Sequence, residues 1–430
     1  MLASQIAEAT GGRLVGPDVE VDGASFDSRV LSPAQLFVPI VAERDGHDFI
    51  DAAIAAGASA YLTAREPDAD APGSAIVVDD TGAALMALAR WVRSRLDVPV
   101  IGVTGSVGKT STKDLIAAAL GATRRVTANE RSFNNEQGLP VTIVGAHDAT
   151  EALVVEMGMR GFGEISRLCA VAAPTIAVVT AVAASHTERV GGLDGVARAK
   201  RELVESLPAH GVAVLNADDE LVTAMAAVAP GEVVSYGRAG DVRIVELALD
   251  DLARPRFQLD TPWGRHRVRL AVSGGHMAMN AAAAIAVTGI VEGTVDAAVE
   301  ALATAPLSGM RMEVSRAPSG AVIVNDAYNA NPDSMRAALD ALVAMAARRR
   351  IAVLGPMAEL DDPEAAHALV LADARERGVE VIAVQTDLYG VEPATDAVTA
   401  LGPLGPGDVV LVKGSRIGGL EAIAAALLAR

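Results

Sequence analysis

The stretch of this sequence with the clearest chemical potential is glycine-rich and lies between two apolar segments. Gly102–Thr112 reads Gly-Val-Thr-Gly-Ser-Val-Gly-Lys-Thr-Ser-Thr; a strand-like run, Val98–Ile101, precedes it, and Lys113–Leu120 has helical spacing after it. A glycine-rich turn between a strand and a helix directs backbone N–H groups toward the helix N-terminus, where anions are stabilised. Lys109 would reach the β- and γ-phosphates of a nucleotide, and the Thr110 hydroxyl would hold Mg²⁺. We therefore expect a nucleotide phosphate site here.

The match to the P-loop pattern is incomplete in one respect. The strict pattern G-x-x-x-x-G-K-[ST] fails because Val103 stands where its first glycine belongs, whereas the variant Thr-Gly-x-x-Gly-Lys-Thr is complete over Thr104–Thr110. Gly-Lys-Thr triplets also arise by chance in turns, but the strand before this one and the helix after it favour phosphate binding.

Three further side chains are candidates for a metal site near that turn. Glu156 ends the apolar run Ala152–Glu156, and its oxygens are the ligands that Mg²⁺ prefers; a solvated strand-end carboxylate is the alternative. His186 ends the next strand-like run and would be a second ligand or an orienting group, although a lone histidine is more often structural. Lys200 lies in the helical segment Leu193–Ser206, where a surface lysine is the default interpretation.

Polar residues also follow strands near the end of the chain. The strand-like run Ala321–Asn325 leads into Asp326–Ser334, which reads Asp-Ala-Tyr-Asn-Ala-Asn-Pro-Asp-Ser, and the strand-like run Asp408–Lys413 leads into Lys413–Arg416. Two cations and a hydroxyl at a strand end predict an anion site, with a solvated loop as the alternative. Asn280, in an Ala-rich helical segment, would either reach a base or ribose or bond locally.

The N-terminal 80 residues carry two polar clusters in a small α/β pattern. Val19–Ser25 and Leu36–Val41 read as strands. The clusters are Ser25–Arg29 (Ser-Phe-Asp-Ser-Arg) and Asp45–Phe49 (Asp-Gly-His-Asp-Phe). Their cations, Arg29 and His47, would bind phosphate, but ordinary turn chemistry explains the clusters equally well.

All these candidates require a scaffold that gathers strand ends. From residue 98 onward, strand-like and helix-like segments alternate, as a doubly wound parallel sheet requires, and a hairpin is expected around Thr261–Gly264. In open α/β sheets, ligands bind at the carboxyl ends of the strands. We predict an α/β protein of three domains: a small N-terminal α/β domain (1–80), a central P-loop domain with a doubly wound parallel sheet (81–307) and a C-terminal Rossmann-like α/β domain (308–430).

The composition limits the class of protein. A chain of 430 residues suggests two to four domains, and its 51% of hydrophobic residues supply a core for each. The net charge of -18 argues against a general binder of nucleic acid or membrane surfaces. Cys169 is the only cysteine, so no internal disulfide can form and a cytoplasmic, reducing location is expected. Met1–Thr10 lacks the basic residues of a secretory signal, and Pro174 divides the uncharged run Leu168–Ser185, so we expect no membrane insertion.

Together these segments resemble the Mur ligase family, ATP-dependent amide ligases of peptidoglycan precursor synthesis, over nearly the whole chain. Thr104–Thr110 is similar to the family's ATP loop, and Glu156 and His186 match its Mg²⁺ positions. Lys200 falls where several members carry a carbamylated lysine that supports a second Mg²⁺. The resemblance therefore implies ATP and Mg²⁺ as cofactors, with Thr110 among the metal ligands.

The resemblance also implies roles for single residues. Asn280 and Asp326 match positions that contact adenine and ribose, and Arg311 matches an arginine near the phosphates. The implied catalytic residues are Lys109, Lys200, His186 and Arg311. The implied nucleotide-binding residues are Thr104, Gly105, Ser106, Val107, Gly108, Lys109, Thr110, Asn280, Arg311 and Asp326.

Within the family, the segments Asp326–Ser334 and Lys413–Arg416 are similar to those of members that add a dipeptide. Members that add an amino acid show Lys-Gly-His-Glu and Asp-Tyr-Ala-His types of segment instead, and both are absent here. The resemblance implies UDP-N-acetylmuramoyl-tripeptide and D-alanyl-D-alanine as substrates and, we expect, a monomeric enzyme. The implied substrate-binding residues are Ser28, Arg29, Gly46, His47, Asn134, Asn135, Tyr328, Asn329, Asn331, Lys413, Ser415 and Arg416.

Two segments depart from the family pattern. Leu354–Asp361 reads Leu-Gly-Pro-Met-Ala-Glu-Leu-Asp where members often have Leu-Gly-Asp-Met-x-Glu-Leu-Gly, and His276–Asn280 reads His-Met-Ala-Met-Asn in place of His-Asn-x-x-Asn. They bear on adenine contact and domain closure, not on the reaction class. Two alternatives stay open: another amide ligase on this scaffold, such as one that adds glutamate to folate, and a nucleotide-binding regulator without catalysis.

The implied reaction moves the γ-phosphoryl group of ATP to a carboxylate and forms an acyl phosphate. The dipeptide amine then attacks the acyl carbon, and phosphate leaves. A free α-amino group has a pKa of about 8, so a substantial fraction is neutral near pH 7 to 8 and no strongly basic residue is required.

Overall fold

A computed structural model describes residues 1–68, 72–130, 133–183 and 190–429. The strands of these residues form three sheets of five, nine and five strands, which follow one another along the chain. The protein is therefore of the α/β class, with one sheet in each of the three predicted regions.

The N-terminal sheet has the order β1-β5-β4-β3-β2. Only β1 runs antiparallel to its neighbour; the other pairs are parallel. Its strands are β1 (Arg13–Val15), β2 (Ala24–Ser25), β3 (Leu36–Phe37), β4 (Ala60–Thr63) and β5 (Ser74–Val77), and its helices are Ala3–Thr10, Ile50–Ala55 and the 3-10 helix Gly46–Phe49.

Two strands of this sheet are shorter than the apolar runs predict. The predicted strand Val19–Ser25 is reduced to two residues, because Gly23 has a φ of 75° and turns the chain just before β2. The predicted strand Leu36–Val41 stops at Phe37; Pro39, two residues later, has no N–H group with which to extend the ladder.

The middle sheet has the order β14-β13-β12-β11-β10-β9-β6-β8-β7. The seven strands β12-β11-β10-β9-β6-β8-β7 each run parallel to their neighbours in this series. The predicted hairpin adds β13 and β14, which pair in antiparallel fashion. The strands are β6 (Val100–Thr104), β7 (Val126–Ala128), β8 (Ala152–Glu156), β9 (Ile176–Val179), β10 (Val212–Asn216), β11 (Glu232–Gly237), β12 (Val242–Leu249), β13 (Pro255–Thr261) and β14 (Gly264–Arg269). The doubly wound parallel sheet is thus confirmed for seven strands, with a two-stranded antiparallel edge.

The helices of this region cover the sheet and hold the glycine-rich turn. Met277–Glu292 is apolar and almost wholly buried, and it packs against Lys109–Leu120, the helix that follows the turn. The other helices are Thr81–Arg93, Gly138–Val144, Glu164–Ala172, Leu193–Glu205, Glu220–Thr223 and Asp296–Leu302, with a 3-10 helix at Ala224–Val228. A helix that is apolar all round belongs in a core, so the sequence of Met277–Glu292 already requires this burial.

The C-terminal sheet has the order β15-β16-β19-β17-β18, with β15 antiparallel and the rest parallel. Its strands are β15 (Glu313–Arg316), β16 (Val322–Asp326), β17 (Arg349–Leu354), β18 (Glu380–Ala383) and β19 (Asp408–Lys413); its helices are Pro332–Ala344, Pro363–Glu376, Ala397–Leu401 and Glu421–Leu428, with a 3-10 helix at Arg416–Gly418. The parallel register of β16 and β19 places Asp326 opposite Lys413.

Membrane-spanning segments were also sought along the described ranges. None of the helices there combines the length and the apolar character needed to cross a bilayer.

Candidate active site

A cleft of about 850 Å³ is lined by residues of both the middle and the C-terminal regions. The middle region contributes the glycine-rich turn, which follows β6, and Glu156, which ends β8. The C-terminal region contributes Asp326 and Lys413, which end β16 and β19. Carboxyl ends of parallel strands from two sheets therefore meet at one cavity, as the sequence predicts.

The glycine-rich turn is built so that its backbone approaches closely. Gly105 has a φ of 153°, and a Cβ atom there would lie 1.8 Å from Thr180 Oγ1, so no other residue fits. Gly108 has a φ of 80° and precedes the helix Lys109–Leu120. The Ser106 hydroxyl donates to the Ala183 carbonyl at 3.0 Å, which ties the turn to the segment after β9. The Ser106 N–H donates to the Ala181 carbonyl at 2.8 Å, and the N–H groups of the residues after it lie at a helix N-terminus, the geometry that binds phosphate.

Thr104 differs from the rest of the predicted loop. It is buried, and its hydroxyl donates to the Met157 carbonyl at 2.8 Å. Its side chain therefore joins β6 to the segment after β8 and does not line the cleft.

Lys109 points back across the turn. Its Nζ donates to the Gly105 carbonyl at 2.7 Å and to the Ser106 carbonyl at 3.4 Å. Burial lowers the pKa of Lys109, while the neighbouring Glu156 carboxylate opposes this shift and Arg311 adds to it. Among the described residues no carboxylate lies within ion-pair distance of Lys109, so its charge is available to an anion in the cleft.

Glu156 is the centre of a polar network at the end of β8. Its Oε2 accepts from the Thr110 hydroxyl at 2.6 Å, its Oε1 accepts from Asn134 Nδ2 at 2.7 Å, and its backbone N–H donates to Asn129 Oδ1 at 2.8 Å. Glu156 and Asn129 are 1% exposed. A buried carboxylate beside the P-loop threonine hydroxyl offers the oxygen donors that suit Mg²⁺.

Lys200 is a buried residue and not the surface lysine of the default interpretation. It is 3% exposed within the helix Leu193–Glu205 and lines the same cleft as Lys109. Burial lowers the pKa of Lys200 well below the ordinary value, and the positive charge of Lys109 contributes to the shift. A lysine in this environment holds a neutral amine more readily than a solvated one does.

The predicted metal set is only partly testable by position. His186 lies outside the described residues, whereas Thr110, Glu156 and Lys200 all line the cleft. Within the described ranges no three His, Cys, Asp or Glu residues form a group that could hold a metal ion by themselves. The donors present, a hydroxyl and one carboxylate, fit an ion that also takes ligands from phosphate and water.

Asn280 faces the turn from the helix Met277–Glu292. A Cβ atom on Gly108 would lie 3.1 Å from Asn280 Oδ1, and Asn280 Nδ2 contacts Met277 Sδ at 3.5 Å. The side chain therefore lines the cleft beside Gly108, and the local bonding alternative accounts only for its contact with Met277.

Arg311 enters the cleft from the segment that connects the middle and C-terminal regions. Its guanidinium carbon lies 4.0 Å from the centroid of the Tyr328 ring, a cation–π contact. Arg311 Nε is buried and has no hydrogen-bond partner within the described ranges. Tyr328 thus places the guanidinium rather than consuming its donors.

Asp326 and Lys413 form a buried ion pair. Lys413 Nζ donates to Asp326 Oδ2 at 2.6 Å and to the Asn329 carbonyl at 2.9 Å, and the Met312 N–H donates to Asp326 Oδ1 at 3.0 Å. The Lys413 side chain is 2% exposed. Its charge is already paired with Asp326, so an anion would have to compete with this ion pair, and the part of Lys413 in binding a ligand stays a prediction.

Two asparagines of the Asp326–Ser334 segment use their side-chain oxygens locally. Asn329 Oδ1 accepts from the Ala330 N–H at 2.9 Å, and Asn331 Oδ1 caps the helix Pro332–Ala344 by accepting from the Ser334 N–H at 2.9 Å. Both residues line the cleft, so the groups that remain for a ligand are their amide N–H donors.

Ser415 and Arg416 close the same side of the cleft. Ser415 Oγ accepts from the Ala358 N–H at 2.9 Å, and Arg416 Nη1 contacts Met310 Sδ at 3.0 Å and donates to Glu421 Oε1 at 2.9 Å. Ser415 thus holds the segment that follows β17, while the half-exposed Arg416 retains donors toward the cleft.

Comparison with known proteins decides what this arrangement belongs to. The family profile "Mur ligase middle domain" matches residues 103–288, and "Mur ligase, glutamate ligase domain" matches residues 310–416. A UDP-N-acetylmuramoyl-tripeptide--D-alanyl-D-alanine ligase of Mycobacterium tuberculosis is 38% identical, over 100% of this chain and 98% of the relative. This chain belongs to the Mur ligase family.

Solved structures agree with this membership. A MurF crystal structure from Acinetobacter baumannii is similar with a TM-score of 0.86 and 28% identity, covering 99% of this chain and 98% of that one. MurF ligase from Thermotoga maritima in complex with ADP is similar with a TM-score of 0.82 and 26% identity, covering 95% and 97% of the two chains. The three-domain α/β architecture of Mur ligases is therefore confirmed for this chain.

The N-terminal clusters of this Mur ligase lie outside the cleft lining. Arg29 donates to both carboxylate oxygens of Asp27, at 2.8 and 2.7 Å, and its side chain is 85% exposed. His47 is buried: its Nδ1 lies 2.6 Å from Asp45 Oδ1, and its Nε2 accepts from the Ala64 N–H at 3.0 Å. Both ring nitrogens of His47 are thus engaged, and its predicted part in phosphate binding is not supported by this geometry.

Gly46 and Ser28 fall in the same N-terminal turns. A Cβ atom on Gly46 would lie 2.5 Å from the Ile40 backbone nitrogen, so that turn requires glycine. Ser28 follows the Asp27 turn, close in sequence to Phe26. The Phe26 ring packs at a tilt of 53° against that of Phe133, with 5.5 Å between the ring centroids. This aromatic pair brings the Ser25–Arg29 cluster beside the Phe133–Asn135 segment of the middle domain.

Asn134 and Asn135 have different tasks in that segment. Asn134 reaches Glu156, as described above, whereas Asn135 Oδ1 accepts from the N–H groups of Gln137 and Gly138 at 3.1 and 2.9 Å. Asn134 therefore belongs with the polar network of Glu156, and Asn135 caps the helix that begins at Gly138 while lining the cleft.

Two buried polar residues that support this site are not among the residues predicted from the sequence. Asn129, which orients Glu156, and Lys113, which is 3% exposed, are both held by their neighbours. Lys113 lies on a helix whose other buried positions are apolar or small. A charged residue on such a face indicates a buried polar partner, and this pattern is visible in the sequence.

Proposed function

We propose that this chain joins D-alanyl-D-alanine to a UDP-N-acetylmuramoyl-tripeptide at the expense of ATP, with release of ADP and phosphate, in peptidoglycan precursor synthesis. The observation that carries the proposal is the cleft itself. One side of it carries the P-loop Lys109, the Thr110–Glu156 pair and Lys200. The opposite side carries Arg311 and the segments Asp326–Ser334 and Lys413–Arg416, which resemble those of members that add a dipeptide.

The residues of the middle domain hold the nucleotide. N–H groups of the turn Gly105–Thr110 and the Lys109 ammonium bind the phosphates, and Asn280 lies where a nucleoside would extend from them. Mg²⁺, when bound, offsets the negative charge of the phosphates and the attacking carboxylate. Thr110 and Glu156 would hold it, with His186 and a carbamylated Lys200 as the other proposed supports.

The phosphoryl transfer depends on position and charge. Lys109 and Arg311 bring two cations to the oxygens of the transferring group, which lowers the energy of the developing charge. Transfer to the terminal carboxylate of the tripeptide gives an acyl phosphate; the neutral amine of the dipeptide attacks its carbonyl carbon, and inorganic phosphate leaves with the amine proton going to solvent.

The acceptor lies on the C-terminal side of the cleft. Asn329, Asn331 and Arg416 line this side. In this proposal the side-chain amide N–H donors of Asn329 and Asn331 bind the peptide group of D-alanyl-D-alanine, and Arg416 binds its terminal carboxylate. Tyr328 and Ser415 shape this side, and the Asp326–Lys413 pair fixes it and offers a carboxylate to the ribose. A single amino acid lacks the peptide group, so polar groups built to bind it would be left unpaired.

In this proposal each of the three domains binds one ligand. Residues 1–80 bind the UDP precursor with Ser28, Arg29, Gly46 and His47 near Asn134 and Asn135, residues 81–307 bind ATP, and residues 308–430 bind the acceptor. Within the first group, Arg29 is the residue in a position to contact phosphate, and Gly46 and His47 maintain the turn. We place the reaction in the cytoplasm, where ATP is available, and expect a monomer.

Steady-state assays test the proposal. ADP release is measured with UDP-N-acetylmuramoyl-tripeptide and with D-alanyl-D-alanine, singly and together, and with D-alanine, L-lysine, diaminopimelate and L-glutamate as other acceptors. We expect rapid ADP release only when both proposed substrates are present. A higher kcat/KM with any single amino acid would overturn the dipeptide assignment.

Trapping tests the intermediate. Hydroxylamine added with ATP and the UDP-tripeptide, without dipeptide, should yield a hydroxamate, because an acyl phosphate reacts with it. Release of AMP and pyrophosphate would show an adenylate route and contradict the mechanism.

A further inference from the structure

The segment Ser308–Met312 begins the C-terminal region, just before β15, and carries Arg311 into the cleft. The two residues that flank Arg311 have left-handed backbones: Met310 has a φ of 61° and Met312 a φ of 48°. Side chains other than glycine adopt this conformation only where their surroundings impose it, so something must hold this segment in place.

The C-terminal domain holds one end of the segment. The Met312 N–H donates to Asp326 Oδ1 at 3.0 Å, and the Tyr328 N–H donates to the Met310 carbonyl at 3.3 Å. With the cation–π contact between Arg311 and Tyr328, these bonds fix Arg311 relative to the acceptor side of the cleft.

On the side of the middle domain, the Asp114 side chain holds the other end of the segment. Asp114, on the P-loop helix Lys109–Leu120, accepts from the Ser308 N–H through Oδ2 at 2.7 Å. Its other oxygen, Oδ1, accepts from Lys113 Nζ at 2.7 Å, and the two side chains are 12% and 3% exposed. A charge-assisted bond this well buried is among the stronger ones in a protein.

Asp114 is also connected, through Lys113, to the polar network of Glu156. Lys113 Nζ donates to the Asn129 carbonyl at 2.7 Å, and Asn129 Oδ1 accepts from the Glu156 N–H at 2.8 Å. A continuous series of buried hydrogen bonds therefore runs from Glu156, beside the phosphate site, to the connecting segment at Ser308.

We propose that Asp114 is a positioning residue, which fixes Ser308–Met312 against the P-loop helix and thereby sets where the Arg311 guanidinium lies relative to the phosphates. The inference rests on the proposed function. Asp114 does not line the cleft; it acts through Arg311, and its removal takes away the Ser308 hydrogen bond that ties the segment to the P-loop helix.

A double-mutant cycle of Asp114→Ala and Arg311→Ala tests this coupling. We expect Asp114→Ala alone to lower kcat by about 10-fold or more, because small misplacements of a positioned group cost up to roughly 10²-fold. In the Arg311→Ala background the same change should lower kcat by less than about 2-fold. An equal factor in both backgrounds would mean that Asp114 only supports the fold, and the proposal would be wrong.

Binding of a non-hydrolysable ATP analogue provides a second cycle that needs no turnover. Asp114→Ala should weaken binding by the same factor as Arg311→Ala, with no further loss in the double variant. Failure of the wild type to turn over both substrates would count against the proposed function alone, whereas additive losses of analogue affinity would count against the role of Asp114.

Three variants serve as controls. Asp114→Asn keeps an acceptor for the Ser308 N–H, and we expect it to retain kcat within about 3-fold; a loss equal to that of alanine would contradict the proposal. Asp80→Ala removes a similar bond, from the Ala83 N–H at 2.8 Å, far from the cleft, and should leave kcat unchanged. If Asp114→Ala alone does not fold because the buried Lys113 loses Asp114 as a counter-ion, the cycle is run with Lys113→Met and Asp114→Ala combined, which removes both buried charges.

Discussion

The N-terminal clusters and the central cleft show similar sequence patterns, in which cations lie near glycines or hydroxyls. They differ in whether those cations are paired with carboxylates. In the N-terminal domain Asp27 pairs with Arg29 and Asp45 pairs with His47, at 2.7 and 2.6 Å. In the cleft, Lys109 is partly buried and Lys200 is buried, and neither has a carboxylate partner among the described residues. A buried cation without a counter-ion is costly unless a ligand or modification supplies one, so the cleft has the stronger claim to function.

The two regions also differ in what their partners do. The carboxylates of Asp27 and Asp45 close local turns, whereas Glu156 and Asp326 connect residues far apart in the chain. His47 hydrogen bonds hold Asp45 so strongly that the pKa of this carboxyl falls to about 2. The N-terminal cluster therefore works first as a turn, and its binding role is limited to side chains that can exchange partners.

The largest effect that would sharpen this comparison is expected at Lys109. Lys109→Ala should lower ligase turnover by about 10²- to 10³-fold, because it removes a preorganised cation from the transferring phosphoryl group. The free energy of unfolding should change by less than about 1 kcal/mol, since the lysine serves the loop and not the core. Turnover and urea unfolding measure the two effects; Arg265→Ala, at an exposed cation paired with Asp260, is the control. Near-normal turnover in a folded Lys109→Ala protein would remove the ATP site from this loop.

A smaller effect is expected at Lys200. Lys200→Ala should lower turnover by about 10- to 100-fold, as losses of groups that support a metal do, and short carboxylic acids should restore part of it by replacing the carbamate. The measurement is turnover against Mg²⁺ concentration with and without added acetate. An unchanged rate and Mg²⁺ dependence would return Lys200 to a purely structural role.

The N-terminal side of the comparison is tested at Arg29. Its ion pair with Asp27 is exposed to water and therefore weak, so a phosphate can compete for the guanidinium. Arg29→Ala should raise KM for the UDP-tripeptide by up to about 10-fold and leave kcat and the KM for ATP unchanged. Arg13→Ala, at an exposed arginine paired with Glu66 in the same domain, is the matched control. Identical KM values in the two variants would reduce the cluster to turn chemistry.

The smallest effect concerns His367, a buried histidine that, unlike His47, has no carboxylate partner among the described residues. His367 Nε2 accepts from the Met357 N–H at 3.0 Å, and Nδ1 lies 2.6 Å from the Pro363 carbonyl, so the ring is neutral. Burial lowers the pKa of His367 below its ordinary 6.5. The unfolded chain then binds more protons just below pH 6.5, and the free energy of unfolding falls as pH drops through this range.

The variant His367→Gln keeps both an acceptor and a donor but does not titrate. Between pH 7 and pH 5 the wild type should lose stability relative to the variant, by up to about 1.4 kcal/mol per pH unit. Urea unfolding at several pH values measures the difference, in which the titration of other groups cancels. Parallel stability curves for the two proteins would show that His367 does not contribute.

Much of the site could be predicted because its signals are local. The turn Thr104–Thr110, the strand-end position of Glu156 and the segment Asp326–Ser334 are short contiguous patterns, and parallel strands place their carboxyl ends together. Resemblance to Mur ligases then supplied the roles that spacing alone left open, such as the choice between a surface lysine and a metal support at Lys200.

The sequence by itself determined which elements form and which of their ends can carry chemistry, because periodicity, glycine and proline act within a few residues. Only the tertiary structure decided which charges stay available. Lys413 is neutralised by Asp326, 87 residues away, and Asp114 reaches Ser308 across 194 residues. Such pairs depend on strand order and domain packing, which set distances that no local pattern encodes, and burial then makes each pairing strong enough to fix a side chain's role.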